Sequence, residues 1–248
     1  MHRTQRTLAA AAALSLALLV SACGTSGGSD AGGKDDGKDT TTTEATSTTA
    51  SADDGAQARA DSVDLEESDF PDGWTSSPAS ADDEDSPMKA CDPSFSDEDA
   101  KLAKHSTDDF TTGSLDDADG SVFSAETVVF ADADTADAAV AVFDDEDVVA
   151  CLDAAVKDTL GGGQDGVTVD GALEDDDVDL GTDNSAGVSA TYQITADDGS
   201  TVNATVAILA FNTGDVGTMV TIVSLGDSLE PTDVRPPIQQ LAELQGEA

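Results

Sequence analysis

Three cysteines are the residues with the most specific chemistry in this chain. Cys23, Cys91 and Cys151 could carry a lipid, form a disulfide, bind a metal or take part in redox exchange. An odd number of cysteines in an exported protein indicates a free thiol or an intermolecular bond, unless one thiol is used in another way. The chain has no Cys-x-x-Cys pair, and His105 is its only histidine after His2. Redox and metal chemistry are therefore weak hypotheses, and we expect no metal site and no cofactor.

The residues before Cys23 have the pattern of an export signal. Two arginines precede an apolar run of 13 residues, Leu8 to Val20, which is shorter than the roughly 20 residues that span a membrane. The "VSAC" at the end of this run resembles the bacterial lipobox, a small-residue tripeptide followed by the cysteine that receives a diacylglycerol. The resemblance implies removal of residues 1–22 and anchoring to the outer side of the cell membrane through Cys23. An ordinary secretory signal with an incidental cysteine is the alternative.

The other two cysteines form an even pair if Cys23 carries lipid. Disulfides persist in exported proteins, so we predict a bond between Cys91 and Cys151. The bond would close a loop of about 60 residues, which is worth roughly 4 kcal/mol in the chain-entropy model.

A serine motif near the end of the chain raises the hypothesis of hydrolysis. "LGDSLEP" resembles the nucleophile block of GDSL esterases, with Ser228 as the nucleophile. In that family the catalytic Asp-x-x-His lies downstream, but only 20 residues follow Ser228 and none is histidine. A serine without a base is a weak nucleophile. We interpret the motif as the exit from a strand, and His105 as a surface residue on a short helix.

Residues 115–126 come close to the pattern of a calcium-binding loop. Position 1 of the loop should be Asp and is Leu115. Positions 3, 5, 6 and 12 are suitable: Asp117, Asp119, Gly120 and Glu126. The flanking sequence is typical of a turn and a strand rather than of helices, so we interpret this segment as an acidic hairpin turn.

The charge balance excludes several classes of partner. Beyond the export signal, 8 basic residues stand against 52 acidic ones, a net charge of −44. Such a field repels nucleic acid and anionic headgroups. The acids, including the cluster "EDDDVD" at 174–179, are interpreted as solvated surface, and diffuse binding of divalent cations is the alternative. Aromatic residues make up 4% of the chain, so an aromatic platform for stacking sugars or bases is not expected.

The elements that must position these residues follow from composition and periodicity. Residues 23–60 are rich in Gly, Ser, Thr and Asp, and we predict a disordered tether. Residues 61–248 are enough for one domain with a core. Within it we predict a helix over 97–104, a strand over 121–131 and a helix over 148–160. A further helix, capped by Asp134 or Thr135, should lie between that strand and the helix at 148–160. Glycines 161–163 should end the longest helix.

The last third of the chain has the period-two pattern of strands. Apolar residues alternate with Ser, Thr and Gln in "GVSATYQIT", and two further Val-rich runs follow after the turns "DDGS" and "NTGD". A final helix should open at Asp233, with Pro236 and Pro237 in its first turn. The prediction is a single α+β domain, in which a C-terminal three-stranded antiparallel meander and earlier strands pack with helices.

Three short motifs resemble the PknH-like extracellular sensor-domain family of actinobacteria. "FPDGW" at 70–74 is similar to the family's opening "DLPxGW". "VVACLDAAV" at 148–156 resembles its helix-borne cysteine, and "TMVTIVSLG" with "PPIQQLAELQ" resembles its closing strand and helix. The family often has two disulfides, whereas this chain can form one. The resemblance implies an α+β domain with a cleft between sheet and helix, and a ligand-binding or sensing role without known chemistry.

Three functional hypotheses follow. In the first, the protein is a membrane-anchored, extracytoplasmic lipoprotein without catalytic activity. Its partners are the lipid bilayer, through acylated Cys23, and a small ligand or an envelope protein. In the second it is a secreted serine hydrolase, and in the third a mainly structural acidic component of the envelope.

Overall fold

The structure is a computed structural model that describes residues 52–79, 91, 100–115, 118–162, 166–176, 178–226, 229 and 231–248. The export signal, Cys23, Ser228 and most of the tether lie outside these residues. The described residues form one antiparallel sheet with four helices packed against it. The predicted α+β class is confirmed.

The sheet contains nine strands within the described residues. They are β1 (Thr75–Ser77), β2 (Lys101–Ser106), β3 (Asp109–Ser114), β4 (Asp119–Phe130), β5 (Thr168–Asp170), β6 (Glu174–Asp176), β7 (Asn184–Thr195), β8 (Thr201–Thr213) and β9 (Val216–Leu225). The four helices are α1 (Ala52–Ser62), α2 (Ala133–Ala141), α3 (Glu146–Gly161) and α4 (Pro231–Glu247).

Two long strands organise the sheet. Its main order is β1-β3-β4-β9-β8-β7-β5. On its outer edge β4 pairs with β3 near its start and with β2 near its end. The strand β7 likewise pairs with both β5 and β6 on its outer edge. The predicted meander is therefore confirmed as β7-β8-β9, and β9 joins it to β4.

Helices cover both faces of this sheet. We call face A the side on which α1 and α4 pack, and face B the side on which α2 and α3 pack. Because strand side chains alternate, β8 contributes to both cores: Leu209 and Phe211 lie on face A, whereas Ile208 and Ala210 lie on face B.

The predicted boundary of the tether is wrong at its C-terminal end. Residues 52–60 belong to α1, and the domain therefore extends before residue 61. The helix has no large apolar residue, but Ala56 and Ala60 are buried on face A. Small side chains let the helix backbone lie close to the sheet. A bidentate ion pair from Arg59 to Asp215 and a hydrogen bond to the Ala248 carbonyl oxygen hold it there.

Three local predictions are also corrected. Residues 101–104 of the predicted helix belong to β2, because their backbone pairs with β4. The cap of α2 is Asp132, whose carboxylate accepts from the amide of Thr135. The last helix begins at Pro231 rather than at Asp233.

Two other predictions are confirmed. The helix α3 ends at Gly161 and is capped by Gly162, whose φ of 60° is left-handed. The strands β3 and β4 pair antiparallel with Ser114 opposite Asp119, in agreement with the interpretation of the calcium-like segment as a hairpin, although Asp117 lies outside the described residues.

Candidate functional site

The strongest candidate site is an open, polar part of face A on the β7–β8 hairpin. In β7 the side chains of Val188, Ala190 and Tyr192 are buried on face B. The alternate residues point to face A, where the cross-strand pairs are Gln193 with Asn203 and Thr191 with Thr205. We call Ser189, Thr191, Gln193, Asn203 and Thr205 the amide–hydroxyl face. Thr191, Gln193 and Asn203 are exposed, and Ser189 and Thr205 are half-buried.

This face is open because the covering elements on face A stop short of it. The helix α4 packs over β8 and β9. The chain at 178–180 covers the start of β7, where the Ser185 hydroxyl donates to the Val178 carbonyl oxygen at 2.6 Å. Gly187 permits this approach, since a Cβ there would lie 3.2 Å from Val178 Cγ2. From Ser189 onward, the sheet surface is accessible to solvent.

The face carries hydrogen-bonding groups that the fold does not use. The Thr191 and Thr205 hydroxyls are hydrogen-bonded to each other at 3.3 Å, so the unused groups are the two amides of the face. Within the described parts of the chain, the side-chain amides of Gln193 and Asn203 have no hydrogen-bond partner. Each amide offers two donor hydrogens and a carbonyl acceptor, so both are free to bind a ligand.

A row of hydroxyl groups continues from this face toward the middle of the sheet. Thr205 lies opposite Ser224 of β9, and Ser224 lies opposite Ser121 of β4. Both serines are buried, and the Ser121 hydroxyl donates to the Ser224 hydroxyl oxygen at 2.9 Å. The outer part of the row is thus accessible to solvent, whereas the hydroxyls of the inner part are buried and hydrogen-bonded to each other.

Carboxylates form the outer border of the face. Asp170 of β5 lies opposite Gln193, and Glu174 of β6 lies opposite Ser189. Both side chains are exposed. The segment 174–176, predicted as part of a solvated loop, is an exposed edge strand instead. Charges on an edge strand also oppose pairing with other chains.

A partly buried hydrogen-bond network on face B joins β7 to α3. The Asp153 carboxylate on α3 accepts from the Tyr192 hydroxyl at 2.7 Å, from Lys157 Nζ at 2.6 Å and from the Leu173 amide at 3.0 Å. Burial raises the pKa of Asp153, but the three hydrogen bonds together outweigh burial, and its pKa lies below the ordinary aspartate value. Burial, followed by the hydrogen bond to the negatively charged carboxylate, raises the pKa of Tyr192.

The predicted disulfide lies on the same helix. Cys91 and Cys151 are bonded, with their Cα atoms 5.5 Å apart. Cys151 is two residues before Asp153, so the bond and the network both act on α3. The third cysteine, Cys23, lies outside the described residues, and its lipidation stays a prediction.

The structure places His105 away from the predicted helix, on β2. Its Nδ1 lies 3.5 Å from an Asp61 carboxylate oxygen, and its Nε2 lies 3.2 Å from one of Asp64. The imidazole is mostly buried, with 24% of the side chain exposed. It thus lies against two carboxylates at the end of α1. Ser228, the hypothetical nucleophile, lies outside the described residues.

The described part of the chain lacks two kinds of feature. No cluster of three or more His, Cys, Asp or Glu side chains there could hold a metal ion. None of its helices is both long and apolar enough to span a membrane.

Comparisons with known proteins find a similarity among solved structures alone. No family model matches the chain, and no curated protein matches it. Among solved structures, the chain is similar to the extracellular domain of PknH from Mycobacterium tuberculosis. The two are 13% identical with a TM-score of 0.38, over 76% of this chain and 96% of that one.

Sequence analysis predicted the strand but not the site. The alternation in residues 187–195 correctly separated the buried residues from the polar ones. A further signal in the sequence was the absence of charge at the polar positions. The five positions of the amide–hydroxyl face are uncharged in a chain in which 52 of 248 residues are acidic. These positions form one surface only because β7 pairs with β8, which brings Gln193 opposite Asn203 and Thr191 opposite Thr205.

Proposed function

We propose that this protein is a lipid-anchored, extracytoplasmic binding module without catalytic activity, whose ligand binds on the amide–hydroxyl face. The observation that carries the proposal is the contrast between this face and the rest of the chain. The exposed amides of Gln193 and Asn203 lie opposite each other there on adjacent strands, without charge and without a hydrogen bond to the described residues. Binding sites are well defined when their residues lie on strands rather than on mobile loops.

Other features support the location. A disulfide persists outside the cytoplasm and is rare inside it. The lipobox-like "VSAC" before Cys23 supplies an anchor, because two or more acyl chains hold a protein stably to a bilayer. Palmitate-analogue labelling should occur in the wild type and disappear in Cys23→Ala, and persistent labelling of the variant would contradict the anchor.

The surroundings of His105 bear on the alternative of hydrolysis. A general base must lie within hydrogen-bond distance of the group that it activates. The two ring nitrogens of His105 instead lie beside the carboxylates of Asp61 and Asp64. Secreted hydrolase activity is the alternative. Ester hydrolysis by the purified chain that is lost in Ser228→Ala would favour that alternative and contradict the proposal.

The binding role is tested with a matched pair of double variants. Thr191→Val/Thr205→Val removes two hydroxyls from the face while keeping side-chain shape and strand propensity. Thr75→Val/Thr111→Val is the control, because its hydroxyl oxygens also lie 3.3 Å apart across two strands, but on β1 and β3.

The purified full chain should retain a component of envelope extract that the face variant fails to retain and the control variant retains. Equal retention by all three proteins would show that the face is not the binding site.

A further inference from the structure

The imidazole ring of His105 lies between the strand β2 and the end of the helix α1. We propose that His105 is a proton-dependent clasp. Its charged ring holds the end of α1 against β2 through the carboxylates of Asp61 and Asp64, and the hold weakens when the ring loses its proton. The clasp concerns the attachment of α1 and is independent of where a ligand binds.

Both ring nitrogens of His105 face a carboxylate oxygen. The Nδ1 atom lies 3.5 Å from Asp61 Oδ1, and the Nε2 atom lies 3.2 Å from Asp64 Oδ1. A neutral ring carries one N–H, so its other nitrogen would turn a lone pair toward a carboxylate, whereas the charged ring carries a hydrogen on both nitrogens. The Nε2 atom is shielded from solvent and has no hydrogen-bond partner among the described residues, so its interaction with Asp64 is one of charge.

Hydrogen bonds hold the two carboxylates beside the ring. Asp61 Oδ1 accepts from Gln57 Nε2 at 2.7 Å, and the same amide nitrogen donates to the Lys104 carbonyl oxygen at 2.9 Å. Asp64 Oδ1 accepts from the backbone amide of Leu65 at 2.9 Å. The oxygens that face the ring are thus the ones that are fixed, and the carboxylates cannot turn away without breaking these bonds.

Other charged side chains nearby are directed elsewhere. On β4 the residue opposite the ring is Thr127, which is neutral. The next side chain along β2, Lys104, lies on the other face of the sheet, where its charge interacts with that of Glu126. Arg59 of α1 is paired with Asp215. The charge of the ring therefore acts mainly on the two aspartates.

The clasp acts at an end of α1 where a positive charge is favourable. The C-terminal end of a helix carries a partial negative charge, which disfavours acids and favours cations. Asp61 lies in the last turn of α1, and Asp64 follows the helix. The charged ring offsets both, while the other hold on α1, from Arg59 to Asp215, keeps its charge because arginine is always protonated. The helix thus has one permanent hold and one that needs a proton.

The sign of the pH dependence follows from the chemistry of histidine. Histidine is the side chain that ordinarily changes charge between about pH 5 and pH 8, and His105 is the only one beyond His2 of the export signal. Aspartates ordinarily keep their charge over that range. The hold is therefore present in acid and is lost as the pH rises. Because α1 follows the predicted tether, the clasp sets how firmly the sheet is joined to the segment that leads to Cys23.

Hydrogen exchange of the α1 backbone amides tests the clasp on the purified full chain. Protection factors, corrected for the intrinsic pH dependence of exchange, are measured at about pH 5.5 and pH 8. In the wild type we expect protection in acid to exceed protection at the higher pH by about threefold to tenfold, because two partly exposed ion pairs act together. In His105→Gln and in Asp61→Asn/Asp64→Asn the two values should agree within about twofold.

The control variant is Lys104→Gln, which removes a charge from the same strand on the opposite face and should keep the wild-type ratio. Equal protection at both pH values in the wild type, or a pH difference that survives in His105→Gln, would overturn the clasp. So would a difference that is lost in Lys104→Gln, or one that persists in Asp61→Asn/Asp64→Asn. The histidine and aspartate variants remove the clasp from opposite sides, so either one decides the question if the other does not fold.

Discussion

The strands β4 and β7 have the same length and similar neighbours, yet they differ in burial. Each has 12 residues and pairs with two short strands on its outer edge. On face A, β4 contributes Phe123, which packs edge-on to Phe70. At the corresponding position across the sheet, β7 has the half-buried Ser189. One side of the sheet is therefore built for packing on both faces, and the other for packing on face B alone.

The difference follows from where the helices lie. On face A, α1 packs on β2 and β4, and α4 packs on β8 and β9. On face B, α3 packs on β5 and β7, tied by the disulfide and by Asp153. The exposed side chains of Thr191 and Gln193 on face A of β7 therefore contribute little to the core. A surface that stability does not require can be used for binding.

The largest expected effect on stability concerns β4, the strand that is packed on both faces. Phe123 is fully buried, and Phe123→Ala should lower the free energy of unfolding by about 3–5 kcal/mol, because it removes apolar contacts and leaves a cavity. Thr191→Ala, on the exposed side, should change it by less than about 1 kcal/mol. Urea unfolding measures both. Similar values for the two variants would remove the distinction between the strands.

The disulfide should have the next largest effect. The double variant Cys91→Ala/Cys151→Ala is expected to lose about 4 kcal/mol, or roughly 10 °C in the midpoint of thermal unfolding for a domain of this size. A reducing agent should lower the midpoint of the wild type by a similar amount and leave the variant unchanged. If reduction had no effect on the wild type, the bond would not stabilise α3 over β7.

The pH dependence of stability also tests the comparison between the two sides of the sheet, because each side is held by one aspartate. Asp153 holds β7, and Asp215 holds α1 through hydrogen bonds from Arg59, which lower its pKa against the effect of burial. Because both pKa values lie below the ordinary 3.8 in the folded state, each carboxylate stabilises the fold above that pH. The contribution is lost as the pH falls through the lowered value.

The more buried of these carboxylates should matter more. The side chain of Asp153 is 17% exposed and that of Asp215 is 31% exposed. At pH 7, Asp153→Asn should cost about 2 kcal/mol, and Asp215→Asn about 1 kcal/mol or less. As the pH falls below 3.8 and through the lowered pKa values, both variants should approach the stability of the wild type. A difference from wild type that persists unchanged into acid would contradict the role of the charges.

Sequence reasoning succeeded where the signal was periodic. The meander, the helix over 148–160 and its glycine end were predicted from the spacing of apolar residues, and the disulfide from the number of cysteines. It failed for α1 and β2. The helix α1 contains only alanine as buried apolar residues, so its composition resembles the tether before it. The strand β2 has the sequence "KLAKHS", and only pairing with β4 makes it a strand.

The sequence alone determined the fold class, the alternation of β7 and the pair Cys91–Cys151, since periodicity and cysteine number are local or countable properties. Only the tertiary structure decided which polar residues meet. Strand pairing brings Gln193 beside Asn203, and the positions of α4 and of residues 178–180 decide that this part of face A stays uncovered. Such an arrangement depends on contacts between segments far apart in the chain, and no local pattern in the sequence encodes it.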